Sequence, residues 1–367
     1  MMPMKNILWL TGDYFLDVDR EIVPSIRNRY NCRWIVFRMF GSRVAIDENL
    51  DCEIINVPYR QKDPRIIPFY ANLVNKLVKE TSGFVPDIIY NALLGVPFFY
   101  PVLLRKVKNM PIVHAAHNVK PYDGWPDKWL MTRYVNYVFR NNGYFHLFSK
   151  FLYDYVSEKY PHKRSFYAPM SLKDYGEVKT DNYEVPQDKV NLLFFGNVKD
   201  NKRLDVVINA FNSLSAEYKN KLHLTIAGKC DDIPKYESLI AGNPNISYFF
   251  KRIDDEEIPE LFFKHQYLVL PYENVAQSGP HMIAYRYNMP TIVSDIEGFR
   301  ERTHDGKDGF MFKVNDVASL VDVLQKVADL DDESYETLKQ NLRVFVDNNF
   351  RPEIIMKQYS DFFDSIC

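Results

Sequence analysis

Lys199, Lys202 and Arg203 fall within seven residues of Gly196 in the stretch FFGNVKDNKRLDVVINAF. VNLLFF reads as a buried strand that Gly196 ends, and LDVVINAF reads as the helix that follows. The three cations therefore sit on the loop and first helical turn, where positive charge opposes the helix dipole and calls for an anion. A solvated basic turn is the plainer alternative. A second stretch, PYENVAQSGPHMIAYRYNMPTIVSD at 271–295, offers an anion seat made of backbone. Ser278 or Gly279 suits a helix N-cap and Pro280 the first turn, so N–H groups with partial positive charge face outward. Gly279 would let a diphosphate approach the chain with no side chain in the way. Taken alone, the same residues describe a well-capped helix.

His117 and Asn118 follow a third apolar run in VHAAHNVKPYDGW, where Pro121 and Gly124 turn the chain. An imidazole there could hydrogen-bond a sugar hydroxyl or manage a proton. His114, inside the run, reads as a satisfied core residue. Asp17 and Asp19 have the letters of a metal-binding DxD, but the segment looks like an acidic helix start, as does Asp254 to Glu257. Cys32, Cys52, Cys230 and Cys367 lie far apart with no CxxC pair and no histidine at ligand spacing. They suggest neither a disulfide framework nor a zinc site.

These loops need a scaffold, and the pattern around them supplies one. NILWLTG, RWIVFRMF, CEIINVPY, DIIYNA, PIVHAAHN and YFHLFS are short apolar runs, and RIIPFYANLVNKLVKETSG has helical spacing up to Ser82 and Gly83. Strand and crossover repeated this way means a parallel sheet covered on both faces. Residues 171–188 turn polar and read as an exposed interdomain linker. The pattern then restarts through VNLLFFG, LDVVINAFNSLSAEY, LHLTIAG, a helix near 233–241, ISYFF, DEEIPELFFKH, YLVLPY, PTIVSD, GFMFKV and VASLVDVLQKVADL. The fold class is α/β: two Rossmann-like, doubly wound domains facing a cleft. The domains are placed at 1–172 and 186–345, with an amphipathic helix at 346–367 expected to pack back on the first. Ligands of such sheets bind beyond the carboxyl ends of the strands.

Composition bounds the answer. With 367 residues, 46% hydrophobic and 26% charged, two cores are expected. A net charge of −2 argues against a nucleic-acid partner. Apolar stretches such as Ile88 to Val102 are broken by Gly95, Pro97 and Pro101, too soon for a membrane span of roughly 20 residues. The run after MMPMK is too short for a signal-peptide core, so a cytoplasmic location is expected.

FFGNVKDNKRLDVVINAF, LHLTIAGKC, YLVLPYENVAQSGPHMIAYRYNMPTIVSDIEGFRE and GFMFKV together resemble the donor half of retaining glycosyltransferases of the two-Rossmann (GT-B) type, the family-4-like group (glycosyl transferases group 1). The order and spacing match over about residues 190–330, and the first half matches more loosely through HAAHNVKPYD and YFHLFS. The resemblance implies transfer of a sugar from a nucleoside diphosphate to an acceptor hydroxyl, with retained configuration and no metal or other cofactor. It makes Lys199 and Lys202 the pair that neutralises the diphosphate, with His117 near the transferred sugar, as the catalytic set. Gln277, Ser278 and Gly279 become the phosphate-facing loop. Gly196, Asn197 and Gly228 would contact the donor, and Arg252 and Ile253 would border the base. Gly12 and Asn118 fall on the acceptor side. Members often carry two acidic residues eight apart, where this chain has Val275 and Ile283; Glu273 is the candidate substitute.

The implied partners are a nucleotide sugar and a glycan or lipid-linked acceptor, as in surface-polysaccharide synthesis. KWLMTRYVNYVFRNN sets Lys128, Arg133 and Arg140 among aromatics on a helix that could rest on an anionic membrane, or simply have one core face and one solvent face. The rival from another class is a non-catalytic homologue that binds a sugar nucleotide or a subunit as a scaffold or regulator. Hydride transfer is disfavoured because TGDYFLD and FGNVKDN lack the GxGxxG fingerprint. Nothing supports a pyridoxal-phosphate phosphorylase.

Overall fold

A computed structural model describes residues 4–60, 63–78, 84–93, 98–107, 110–119 and 128–366. Pro121, Gly124, Ser82, Gly83, Gly95, Pro97, Cys367 and the Lys128 side chain lie outside the described residues. The chain divides into two compact units: Met1–Ser171 with Phe350–Cys367, and Leu172–Asn349.

The first unit runs β1 (Asn6–Gly12), α1 (Leu16–Arg27), β2 (Asn31–Arg38), β3 (Glu53–Asn56), α2 (Ile66–Val78), β4 (Ile88–Asn91), α3 (Phe99–Lys106), β5 (Ile112–Ala116), α4 (Lys128–Asn141), β6 (Tyr144–Leu147), α5 (Lys150–Lys159) and β7 (Arg164–Tyr167). Among the described residues its strands form one parallel sheet in the order β3-β2-β1-β4-β5-β6-β7. Ile7 to Leu10 are fully buried, as a central strand covered on both faces requires.

The second unit runs β8 (Val190–Phe195), α6 (Leu204–Ser213), α7 (Ala216–Lys221), β9 (Leu222–Ala227), α8 (Ile233–Ile240), β10 (Ile246–Phe249), α9 (Ile258–Lys264), β11 (Tyr267–Leu270), α10 (Gly279–Arg286), β12 (Thr291–Ser294), α11 (Glu297–Arg300), β13 (Gly309–Phe312), α12 (Val317–Ala328) and α13 (Asp332–Asn349). Its parallel sheet has the order β10-β9-β8-β11-β12-β13. One core lies under α6, α8 and α12, and the other under α9 and α10. The α/β class with two Rossmann-like units is as the alternation implied. The single helix expected over LDVVINAFNSLSAEY is two, because Ser215 caps a new one by accepting the Tyr218 N–H.

The final helix, α14 (Pro352–Ser365), belongs to the first unit. Its Tyr359 and Phe363 rings pack on Trp9 and Tyr90, and Tyr359 Oη lies 3.3 Å from His146 Nδ1.

Residues 172–188 correct the reading of an exposed linker. They form no helix or strand, yet they are tied down on the second unit. Tyr183 is buried, and the fully buried Glu260 carboxylate accepts the N–H groups of Asn182 (2.9 Å) and Tyr183 (2.7 Å) and the Thr180 hydroxyl (2.6 Å). Tyr183 Oη donates to Glu257 at 3.0 Å. The acidic DEEIPE stretch supplies acceptors that let a polar segment lie against the fold with its backbone satisfied.

Asp19 is a second finding that the letters DVD conceal. It starts α1, as expected, but is buried in the first core, where its Oδ2 accepts from Trp9 Nε1 (2.9 Å) and Thr11 Oγ1 (2.5 Å). Burial pushes its carboxyl up to about 7 despite those two donors.

Candidate functional site

In the second unit β8 and β11 are neighbours, yet the chain leaves β8 toward β9 and leaves β11 toward β12 on the other side. Loops that part in opposite directions leave a crevice at the strand ends, the usual ligand site of such sheets. The two stretches singled out for an anion are the loops after these two strands. They touch: the Glu273 N–H donates to the Asn201 carbonyl at 3.0 Å, and a Cβ placed on Gly196 would lie 3.4 Å from Pro280 Cγ.

Glycine is required where the loops meet. Gly196 has φ 113 and Gly228 φ 151, and a Cβ on Gly228 would lie 2.0 Å from the Gly196 carbonyl oxygen. The Gly196 N–H donates to the Ala227 carbonyl at 2.9 Å, so the β8 and β9 loops stack backbone on backbone. No side chain fits between them.

Ser278 caps α10, its hydroxyl accepting the His281 N–H, and Pro280 follows in the first turn. That turn contains no acidic residue, so its positive end is not neutralised from within the helix. Lys202 is half-buried, and its Nζ sits 3.4 Å from the centre of the buried Tyr272 ring. Among the described residues no carboxylate pairs with it. Burial lowers its ammonium to about 7. Lys199 and Asn197 are exposed on the same loop, and Gln277 is half-buried. Arg203 adopts a left-handed conformation (φ 47, ψ 43) and is bound to Asp205 at 2.9 Å, so its charge is already matched.

The remaining sites fall in three places. Arg252 is exposed after β10, whereas the Ile253 side chain joins the apolar cluster of Leu261 and Phe262 and is a core contact. Glu273 is exposed beside the lysine loop. Val275 is half-buried and Ile283 is buried in the core, so neither of these two positions presents an acid. In the first unit Gly12 ends β1, and a Cβ there would collide with its own Tyr14 ring. His117 follows β5, stacked on Phe148 (4.3 Å, 27°) and met edge-on by Phe15 (4.3 Å, 89°), with half-buried Asn118 beside it. His114 is buried, its Nδ1 3.2 Å from Asn91 Nδ2, and burial lowers it to about 3. Tyr272, which supports Lys202, was not legible as a site residue. Its only signal was its place one residue past the loop's Pro271.

Among the described residues no helix is long and apolar enough to cross a membrane. Residues 177–345 match the family model described as Glycosyl transferases group 1. An uncharacterized glycosyltransferase of Methanocaldococcus jannaschii is 22% identical over 287 residues, covering 75% of this chain and 72% of that protein. A 41.2 kDa protein in the cps region of Klebsiella pneumoniae is 22% identical over 198 residues, 51% of this chain and 49% of that one. Sucrose-phosphate synthase of Thermosynechococcus elongatus superposes with TM-score 0.79 at 14% identity, covering 99% of each chain. HepE of Anabaena, in a structure with UDP and glucose, superposes with TM-score 0.71 at 14% identity, covering 99% of this chain and 100% of that one. Over residues 177–345 the chain is thus similar to the glycosyl transferases group 1 family, and as a whole it has the two-Rossmann GT-B fold of glycosyltransferase structures.

Proposed function

We propose that the protein transfers a sugar from a nucleoside diphosphate to a hydroxyl of a glycan or lipid-linked glycan, with retained anomeric configuration, in surface-polysaccharide synthesis. The observation that carries the reading is Lys202, a half-buried ammonium with no carboxylate partner among the described residues, on the loop that meets the first turn of α10, a turn with no acidic residue. Departure of the diphosphate builds negative charge on its oxygens. Fixed ammonium groups and N–H donors stabilise that charge more in the transition state than in the ground state. Lys199 and Lys202 supply cationic charge that a metal ion would otherwise bring, and no metal or other cofactor enters the proposal. Gly196, Asn197, Gly228, Gln277, Ser278 and Gly279 are assigned to the wall against the donor, and Arg252 and Glu273 to its base and ribose. His117, held between Phe15 and Phe148, is assigned to the transferred sugar, with Gly12 and Asn118 toward the acceptor. UDP in the HepE structure favours a uridine donor, and the relative from a cps region favours a surface glycan. Trp129 and Arg133, stacked at 4.4 Å and both exposed, share a face of α4 with Arg140 and support contact with an anionic membrane surface at the cytoplasmic side.

The test is calorimetry and thermal shift against nucleoside diphosphates and their sugars, followed by turnover with and without chelator and assignment of the product anomer by NMR. Binding with transfer and retained configuration is expected. A protein that binds none of the panel refutes the donor site. Binding without transfer or hydrolysis identifies the non-catalytic homologue instead.

A further inference from the structure

Tyr272 is the second residue after β11, where the sequence reads YLVLPYENVAQSG. Its side chain is buried in the apolar cluster under α9 and α10. Two further contacts fix it there: the Phe299 ring of α11 lies 5.6 Å away at 45°, and the Ser294 hydroxyl at the end of β12 donates to the Tyr272 carbonyl. The ring is therefore a rigid platform. What rests on it comes from both loops of the crevice. Lys202 Nζ stands 3.4 Å from the ring centre, and the Tyr272 hydroxyl is hydrogen-bonded to the Ser278 side chain that caps α10. One residue further on, the Glu273 N–H donates to the Asn201 carbonyl at 3.0 Å, which clips the two loops together beside the ring.

We infer that Tyr272 is the positioning residue of the diphosphate seat, its ring face holding the Lys202 ammonium and its hydroxyl holding the Ser278 cap. The inference rests on the donor reading above and adds a residue that acts through Lys202 and Ser278. Filling the core would be served as well by phenylalanine, which has a similar volume and no hydroxyl to satisfy. The hydroxyl is accounted for by its partner. Ser278 Oγ also accepts the His281 N–H at 3.4 Å, so the bond to Tyr272 sets how the first turn of α10 is aimed. The ring face is accounted for by the lysine. A half-buried ammonium is attracted by an aromatic face without being neutralised, as a carboxylate would neutralise it, so the cation stays available to an anion. Because face and hydroxyl belong to one planar group, covalent geometry relates the ammonium to the helix end, and two independently moving loops do not have to find that spacing.

The experiment measures calorimetric affinity for whichever of UDP, GDP and ADP binds wild type, and for the corresponding nucleoside, in Tyr272→Phe and Tyr272→Leu. Y272F is also made with Ser278→Ala, and both Tyr272 variants with Lys202→Met. Y272F raises Kd for the diphosphate about fivefold, and Y272L, which loses the ring face as well, about thirtyfold or more. Nucleoside affinity stays within about twofold of wild type in both. Y272F has no further effect in S278A, and Y272F and Y272L bind alike in K202M, where no cation remains for the ring to hold. Losses that simply add in either background, or a nucleoside affinity that falls in parallel with the diphosphate's, show a core-packing residue and overturn the inference. A Y272L protein that binds the diphosphate within about twofold of wild type overturns it too, and leaves the donor site standing. If Y272L does not fold, the Y272F and S278A pair decides alone. Failure of wild type to bind any of the three nucleotides overturns the donor reading and the inference together.

Discussion

Replacing Lys202 by methionine should make the protein more stable and unable to hold its donor. Burial takes the Lys202 ammonium from an ordinary 10.5 to about 7. That difference corresponds to about 5 kcal/mol of preference for the neutral form in the folded state. The contact with the Tyr272 ring returns about 2 kcal/mol at most, so the charged lysine destabilises the unliganded fold by about 3 kcal/mol. The sign follows from the direction of the shift. Between about 7 and 10.5 the unfolded chain binds the proton more tightly, so the penalty is complete below pH 7 and fades as pH rises toward 10.5. Methionine keeps the packing on Tyr272 without the charge. Thermal unfolding of Lys202→Met at pH 6 should therefore show the second unit's transition raised by about 6–12 °C, with a smaller gain at pH 9. Nucleoside diphosphate affinity should fall about 10²-fold or more, and turnover with it. A K202M protein no more stable than wild type, or one stabilised more at pH 9 than at pH 6, would refute the argument that this ammonium is held in wait for an anion.

Two further predictions concern buried carboxyls. The Asp19 carboxyl is raised to about 7 in the fold, so its contribution is most favourable at low pH and declines as pH climbs from about 3.8 through 7. Asp19→Asn should match wild type near pH 4 and exceed it by about 2–4 kcal/mol at pH 8, as read by urea unfolding; a difference that does not grow with pH would contradict it. Burial alone would raise Glu260, but the Asn182 N–H, the Lys264 ammonium, the Thr180 hydroxyl and the Tyr183 N–H together bring it down to about 2. Its stabilisation is thus present above the ordinary 4.5 and lost as pH falls toward 2. Glu260→Ala should cost about 3 kcal/mol at pH 7 and open residues 172–188 to limited proteolysis, whereas an uncut strap would show that Glu260 does not hold it.

The doubly wound units were legible because their strands are short apolar runs closing on glycine or polar residues, and VNLLFFG or YLVLPY admit little else. The two loops proposed to take an anion could be singled out too, since Lys202 and the Ser278-Gly279-Pro280 cap carry local signals of charge and turn chemistry. Asp19 was not, because its partners Trp9 and Thr11 come from the neighbouring strand, and their hydrogen bonds leave no trace in spacing. The strap was misread for a related reason: its polar composition is that of a solvated segment, and the carboxylates that satisfy it lie about 75 residues further along the chain.

The C-terminal helix has a consequence for biosynthesis. Trp9 and Tyr90 in the central strands are covered by Tyr359 and Phe363, residues made only after the whole of the second unit. A ribosome therefore delivers everything the Leu172–Asn349 unit needs before the earlier-made unit can close its aromatic core. A nascent chain halted at residue 349 would expose that core's open side, and chaperones that bind apolar surface should capture it there more readily than a chain that includes α14.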